Sequence, residues 1–275
     1  MMGRHGRRVT AALLLTITGA LVACSGGDSQ SVESDGPTGK ITVFAAASLR
    51  EAFEEIATAF EAAYEDTKVE FNFAGTPTLR TQLEQGARAD VFASANKEQM
   101  ALAKTSDVVE SASRTFARNF LVIITPIDNR GGIESAEDLA GDGLKLVVAL
   151  EAVPVGVYTQ LALAAMSVEE GYGAGFCDAV LKNVVSFESN VKQVVAKVEL
   201  GEADAGIVYG TDVTEELAAK LTRIEIPEGF NVMAEYPAAL VTDRRNDAVA
   251  RLFVDFLLTE PAQAILARHG FSGAG

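Results

Sequence analysis

The run Lys40-Ile-Thr-Val-Phe-Ala-Ala-Ala-Ser48-Leu-Arg-Glu51 restricts the fold more than any other part of the chain. Its apolar, β-branched first half reads as a buried strand that stops at a serine. Leu49, Phe53, Ile56, Phe60 and Tyr64 then recur at steps of four, three, four and four, which places them on one face of a helix. A strand that turns into a helix within two residues is the building unit of α/β layers. Ser48 followed three residues later by Glu51 has the form of a capping box, so Ser48 is expected to cap the helix. A capping hydroxyl accepts with its lone pairs and keeps its proton. That proton and the first N–H groups of the helix can point together at an anion beyond the strand end.

The unit recurs. Thr67–Phe73 alternates like a strand, and Thr76-Pro77 opens a helix with Thr76 as expected cap, Leu79 and Leu83 on its buried face and Gly86 at its end. Ala89–Ser94 is a short strand, Gln99–Lys104 a short helix, and Asn119–Pro126 a continuous β-branched run suited to a central or crossing strand. Leu144–Leu150 leads through Val153-Pro154-Val155-Gly156 into a further helix. Val184–Phe187 leads through Ser189 or Asn190, as cap, into a helix carrying Val191, Val194, Val195 and Val198. Ala205–Tyr209 is a short strand with a tyrosine at its carboxyl end. Leu221–Ile226 and Glu235–Val241 follow, then helices over Val249–Leu258 and Ala262–His269, with Gly270 just past the last. The alternation predicts an α/β fold with largely parallel sheets flanked by helices. Apolar crossings near Phe120 and Ala238 divide it into residues 40–120 of a first lobe, 121–236 of a second and 237–275 returning to the first. In such sheets a ligand sits at the carboxyl ends of the strands, here in the cleft between lobes.

The amino-terminal segment is of a different kind. Arg4, Arg7 and Arg8 precede a short apolar run from Val9 to Ala23 that ends in Leu21-Val22-Ala23-Cys24, so residues 1–23 read as a signal peptide too short to span a bilayer. The last four residues resemble a bacterial lipobox, which makes Cys24 the expected lipid attachment point. Residues 24–39, rich in Gly, Ser, Asp and Pro, form a tether of about 20 Å root-mean-square reach. Cleavage before Cys24 removes three arginines and no acids from 23 basic and 38 acidic residues, leaving a net charge of −18. Nucleic-acid phosphates would be repelled by such a surface. Cys177 is then alone and cannot form an intramolecular disulfide.

Ser48, Thr76, the Val155 turn, the Val191 turn and Tyr209 thus gather at one end of the sheets, bringing hydroxyls and backbone N–H groups but no histidine, cysteine, lysine or carboxylate. His269 and Cys177 are single, which excludes a metal cluster, and neither a Gly-x-Ser-x-Gly elbow nor a P-loop is present. A cage of donors suits a fully deprotonated oxyanion, which only accepts hydrogen bonds.

The stretches Ile41-Thr-Val-Phe-Ala-Ala-Ala-Ser48-Leu, Ala89-Asp-Val-Phe, Val153-Pro154-Val155-Gly156-Val157-Tyr158 and Gly206-Ile-Val-Tyr209-Gly210 resemble the periplasmic molybdate-binding proteins of ABC importers. The resemblance runs from Lys40 to Gly275. It implies a two-lobed class II periplasmic-binding-protein fold holding molybdate or tungstate between the lobes, with no cofactor and no catalytic residue. By the same resemblance the oxyanion contacts fall on the Ser48 hydroxyl and N–H, on Thr76, on the N–H groups of Val155 and Val191, and on the Tyr209 hydroxyl. Thr76-Pro77 stands where serines are more usual and Val155 where alanine is commoner. The implied partner is an ABC permease, and the implied form is a monomeric lipoprotein on the outer face of the bacterial cell membrane. Sulfate or another tetrahedral oxyanion is an alternative ligand. An enzyme on the same scaffold would need a general base in the cleft.

Overall fold

The computed structural model describes residues 36–273. Cys24, the segment before it and the tether as far as residue 35 lie outside the described residues. The predicted strand–helix units are present in order: β1 (Gly39–Ala46), α1 (Arg50–Ala63), β2 (Thr67–Ala74), α2 (Thr76–Glu84), β3 (Val91–Ala93) and α3 (Lys97–Thr105). A long strand β4 (Val109–Asn119) follows, separated by Phe120 alone from β5 (Leu121–Pro126). The chain continues through β6 (Leu146–Ala149), α4 (Pro154–Ser167), α5 (Phe176–Lys182), β7 (Val184–Glu188), α6 (Val191–Glu199), β8 (Ala205–Tyr209) and β9 (Leu221–Glu225). It closes with β10 (Ala234–Val241), α7 (Asp247–Phe256), α8 (Glu260–Arg268) and β11 (Ser272–Gly273).

Two sheets form within one compact unit. The first has the order β11-β4-β10-β3-β1-β2, the second β7-β6-β8-β5-β9. The chain leaves the first sheet at Phe120 and re-enters it at Ala234, so the returning strand takes in Ala234, Glu235 and Tyr236. Asn231, just before the return, fixes this junction: its side chain accepts from the Leu121 N–H at 3.0 Å and donates to the Leu121 carbonyl at 2.8 Å.

The sheets are mixed rather than largely parallel. Strands joined through helices pair in parallel, β1 with β2 and β3, and β6 with β7 and β8. The strands next to the crossings pair antiparallel, β10 with β3 and β4, and β5 with β8 and β9. β10 carries Pro237, which has no N–H for the ladder, and the β10–β4 register shifts there, between Tyr236 and Pro237.

β5 confirms the central-strand reading, since Leu121, Val122, Ile123 and Ile124 are all inaccessible to solvent. α1 buries Phe53, Ile56 and Phe60 and leaves Glu54 and Glu55 exposed, as its periodicity requires. Phe53 meets the rings of Phe71, Phe116 and Phe253 at centroid distances of 6.0, 5.5 and 6.1 Å, joining α1 to β2, β4 and α7. Replacement of Phe53 by alanine is expected to destabilise the protein by about 3–5 kcal/mol in chemical denaturation, with the native secondary structure retained.

Candidate functional site

The carboxyl ends of β1, β2 and β8 and the starts of α2, α4 and α6 meet around a small cavity. Ser48, Thr76, Val155, Val191 and Tyr209 all line it, brought from five separate stretches of chain. The centre of a water-sized sphere has about 10 Å³ available there. That is room for a compact ion and far below the 300–1,000 Å³ or so of a site for an organic ligand. The first two residues come from the half of the fold built on the first sheet, the other three from the half built on the second.

Two of the expected caps are not caps. A 3-10 turn over Ala47–Leu49 joins β1 to α1, which starts at Arg50 with Leu49 as N-cap and no side-chain cap. Ser48 is therefore released from capping, and its Oγ lies 3.1 Å from the Tyr236 hydroxyl. Glu51 does not reach back to Ser48 but pairs with Lys192. Thr76 is the first residue of α2, with Gly75 as its N-cap. The Thr76 Oγ1 accepts the Ala95 N–H at 3.3 Å, which leaves its proton to donate. At α6 the expected cap is present: the Asn190 side chain accepts from the Gln193 N–H.

The first turns of α4 and α6 present N–H groups that have no intrahelical acceptor, Val155 in one and Val191 in the other. Gly156 lets α4 approach so closely, because a Cβ there would lie 2.1 Å from the Leu150 carbonyl oxygen. Gly75 serves the junction of the halves in the same way, its Cβ position lying 2.2 Å from the Ser189 carbonyl oxygen. The Tyr209 hydroxyl is buried with no protein partner at hydrogen-bond distance. Burial pushes its pKa well above the usual tyrosine value and Tyr236 is close enough to raise it further, so it remains a protonated donor throughout the physiological range.

Among the described residues no carboxylate, amine, guanidinium or imidazole lines the cavity. Glu188, which could have contributed an acceptor, is held by Lys197 and Ser186, each at 2.6 Å. Among the described residues no cluster of histidine, cysteine and carboxylate groups could hold a metal ion, and no helix is long and apolar enough to cross a membrane. His269 pairs with Glu55 at 2.8 Å on the outside of the fold. Cys177 is half-buried, and burial raises its thiol pKa.

One group escaped the sequence analysis. Lys192, directly after Val191, turns its ammonium away from the cavity onto Glu51 at 2.8 Å and onto the fully buried Asp212 at 3.1 Å. It thereby ties α6 of one half to α1 of the other. Nothing in periodicity or motif announces this, since Glu51 lies 141 residues away in the chain.

A family model described as bacterial extracellular solute-binding protein matches residues 41–272. The chain belongs to that family. This solute-binding protein is 37% identical to the molybdate-binding protein ModA of Mycobacterium tuberculosis over 93% of its own length and 94% of the relative's. A Bacillus subtilis relative described as an ABC transporter substrate-binding lipoprotein is 28% identical over 92% of this chain and 93% of the relative. The periplasmic molybdate-binding protein of Azotobacter vinelandii superposes with a TM-score of 0.72 over 84% of this chain and 98% of that one; at 20% identity it shows the shared two-lobed class II fold. Membership places the protein outside the cytoplasm and among binding proteins rather than enzymes.

The Lys192 cluster generates a pH-dependent prediction. Burial lowers the Lys192 pKa, but the charges of Asp212 and Glu51 outweigh it and the net shift is upward. On the lysine side the contribution is therefore fully present below the unfolded value of about 10.4 and is lost as pH rises through the higher folded value. Lys192→Met leaves Asp212 buried without a counter-charge, at an expected cost of about 3–5 kcal/mol near neutral pH. The loss should shrink as pH falls and Asp212, whose pKa burial raises, takes up a proton. Denaturant titrations at two pH values check this, and Lys192→Met with Asp212→Asn should recover most of the loss.

Proposed function

We propose that this protein captures molybdate, and tungstate with it, outside the cytoplasm and delivers it to an ABC importer. The observation that carries the reading is the buried Tyr209 hydroxyl, with no partner at hydrogen-bond distance, in a cavity lined otherwise by hydroxyls, N–H groups, aliphatic carbon and Asn190, whose amide oxygen is taken by the Gln193 N–H. Molybdate is a dianion without a proton near neutral pH, so each of its oxygens only accepts. The Tyr209, Ser48 and Thr76 hydroxyls and the N–H groups of Val155 and Val191 are the donors we assign to it. Helix N-termini offset its charge without a salt bridge, because each carries roughly half a positive elementary charge. The curated relatives named for molybdate support the choice among oxyanions. Sulfate meets the same proton requirement but is smaller, and a cage built on backbone cannot contract freely around it.

Phosphate differs in kind. It carries a proton near neutral pH, and the cavity lining has no carboxylate to take it, so a hydroxyl would have to accept and give up its own donation, at a cost of about 1–3 kcal/mol. Calorimetric titration of the unlipidated protein should therefore show molybdate and tungstate binding with similar affinity, sulfate far weaker and phosphate weakest. Tyr209→Phe should lose about 1.5–3 kcal/mol of binding to molybdate while the ligand-free protein melts as wild type does. Phosphate binding as tight as molybdate would contradict the reading, and so would a Tyr209→Phe variant of full affinity.

The lipobox resemblance supports anchoring through Cys24 after removal of residues 1–23, with a monomer working at the end of its tether. The Bacillus relative described as a lipoprotein points the same way. Cys24→Ser should leave protein that is unprocessed or released, as read by detergent partitioning. A serine variant of mature size that stays in the membrane fraction would overturn the anchor.

A further inference from the structure

Asn119 is the last residue of β4, 2% exposed, at the crossing between the two sheets. Its Oδ1 accepts the Phe120 N–H at 2.9 Å. An N–H can only donate, so the amide oxygen has to face Phe120 and the NH2 has to face the other way. There Nδ2 donates to Thr211 Oγ1 at 2.8 Å and to the Tyr236 hydroxyl oxygen at 3.4 Å. An amide NH2 cannot accept, so the Tyr236 proton must go elsewhere. Ser48 Oγ lies 3.1 Å from the Tyr236 oxygen and accepts it; the Tyr209 hydroxyl has no partner at hydrogen-bond distance, and Tyr236 adds to burial in raising its pKa, which makes Tyr209 a donor toward Tyr236 and not a competing acceptor. Ser48 cannot return its own proton to Tyr236, and the residue lines the cavity.

We propose that Asn119 and Tyr236 are positioning residues that fix a one-way hydrogen-bond chain, Asn119 to Tyr236 to Ser48, holding the Ser48 hydroxyl as a donor toward the cavity. The inference rests on the oxyanion reading of that cavity and adds a determinant of selectivity to it. A serine hydroxyl left free can rotate and accept a proton from a P–O–H group as readily as it donates. One that already accepts from Tyr236 has its proton free for the ligand and one lone pair fewer to offer a P–O–H group. The Ser48 share of discrimination against protonated oxyanions is thereby controlled from the sheet crossing, two hydrogen bonds from the ligand. Thr211, which lies in the 3-10 turn after β8, ties the same amide to the second half of the fold.

The test is a double-mutant cycle by calorimetry on the unlipidated protein, with wild type titrated first against molybdate, tungstate, sulfate and phosphate. Ser48→Ala should weaken molybdate binding by about tenfold or more and Tyr236→Phe by roughly tenfold, on the scale of a lost hydrogen bond to a charged group. The double variant should bind no worse than Ser48→Ala alone, because Tyr236 acts through Ser48. Fully additive losses would overturn the chain. Asn119→Asp keeps the acceptor for Phe120 and replaces the NH2 with an oxygen that takes the Tyr236 proton. The chain then reverses, and Ser48 turns a lone pair to the cavity. In mildly alkaline buffer phosphate is chiefly a dianion like molybdate, so the added negative charge weighs on both alike and their affinity ratio reads the direction of the chain. That ratio should fall at least about tenfold; an unchanged ratio would overturn the proposal. If Asn119→Asp does not fold, the cycle alone decides. A wild type that binds none of the four oxyanions would overturn the proposed function and the chain with it, whereas a binding wild type with additive variants would overturn the chain alone.

Discussion

The requirement that buried polar groups be satisfied governs the centre of this molecule. A hydroxyl or N–H shut away from water without a partner costs about 1–3 kcal/mol, and the chain gathers several such donors at one point without placing a carboxylate or an imidazole among them. Tyr209 is the clearest instance, buried with no protein acceptor. Such an arrangement is matched by a small group that brings only acceptors. Carbon covers much of the remaining wall, through Ala46, Ala47, Ala74, Ala95 and Val153.

The remaining structure holds those donors in place. Two mixed sheets set the strand ends facing one another, and the helices that follow turn their N-termini to the same spot. The halves approach until Gly75 has no room for a Cβ beneath the Ser189 carbonyl. Lys192 binds Glu51 across the junction and Asp212 within its own half, so its charge is neutralised there. At the sheet crossing Asn231 holds the Leu121 backbone, and Asn119 holds Phe120, Thr211 and Tyr236. The crossing and the cavity are thus parts of one hydrogen-bonded assembly.

Much of this was legible in the chain. Each β-branched run that ends as the period changes from two to three or four became a strand–helix joint, and the residues at those joints, Ser48, Thr76, Val155 and Val191, lie together with Tyr209. Local pattern could not fix how the joints are made. Ser48 satisfies the capping-box spacing, yet a 3-10 turn shifts the helix start and the serine turns to Tyr236, 188 residues away. β4 was not visible because Glu110-Ser-Ala-Ser-Arg-Thr115 is nearly all polar, and pairing with β10, not alternation, makes it a strand. The largely parallel sheets expected from the alternation became mixed at the strands beside the crossings, whose direction follows from where the chain returns. Gly75 and Lys192 have roles defined by partners far off in sequence, which a single chain does not reveal.

A crystal grown with molybdate, measured at the molybdenum absorption edge, tests the central claim most directly. The anomalous peak should stand in the cavity, its oxygens within hydrogen-bond distance of the Ser48 and Tyr209 hydroxyls and the N–H groups of Val155 and Val191, with no carboxylate oxygen beside it. A peak elsewhere on the molecule, or one flanked by Glu or Asp side chains, would contradict a donor-only oxyanion site.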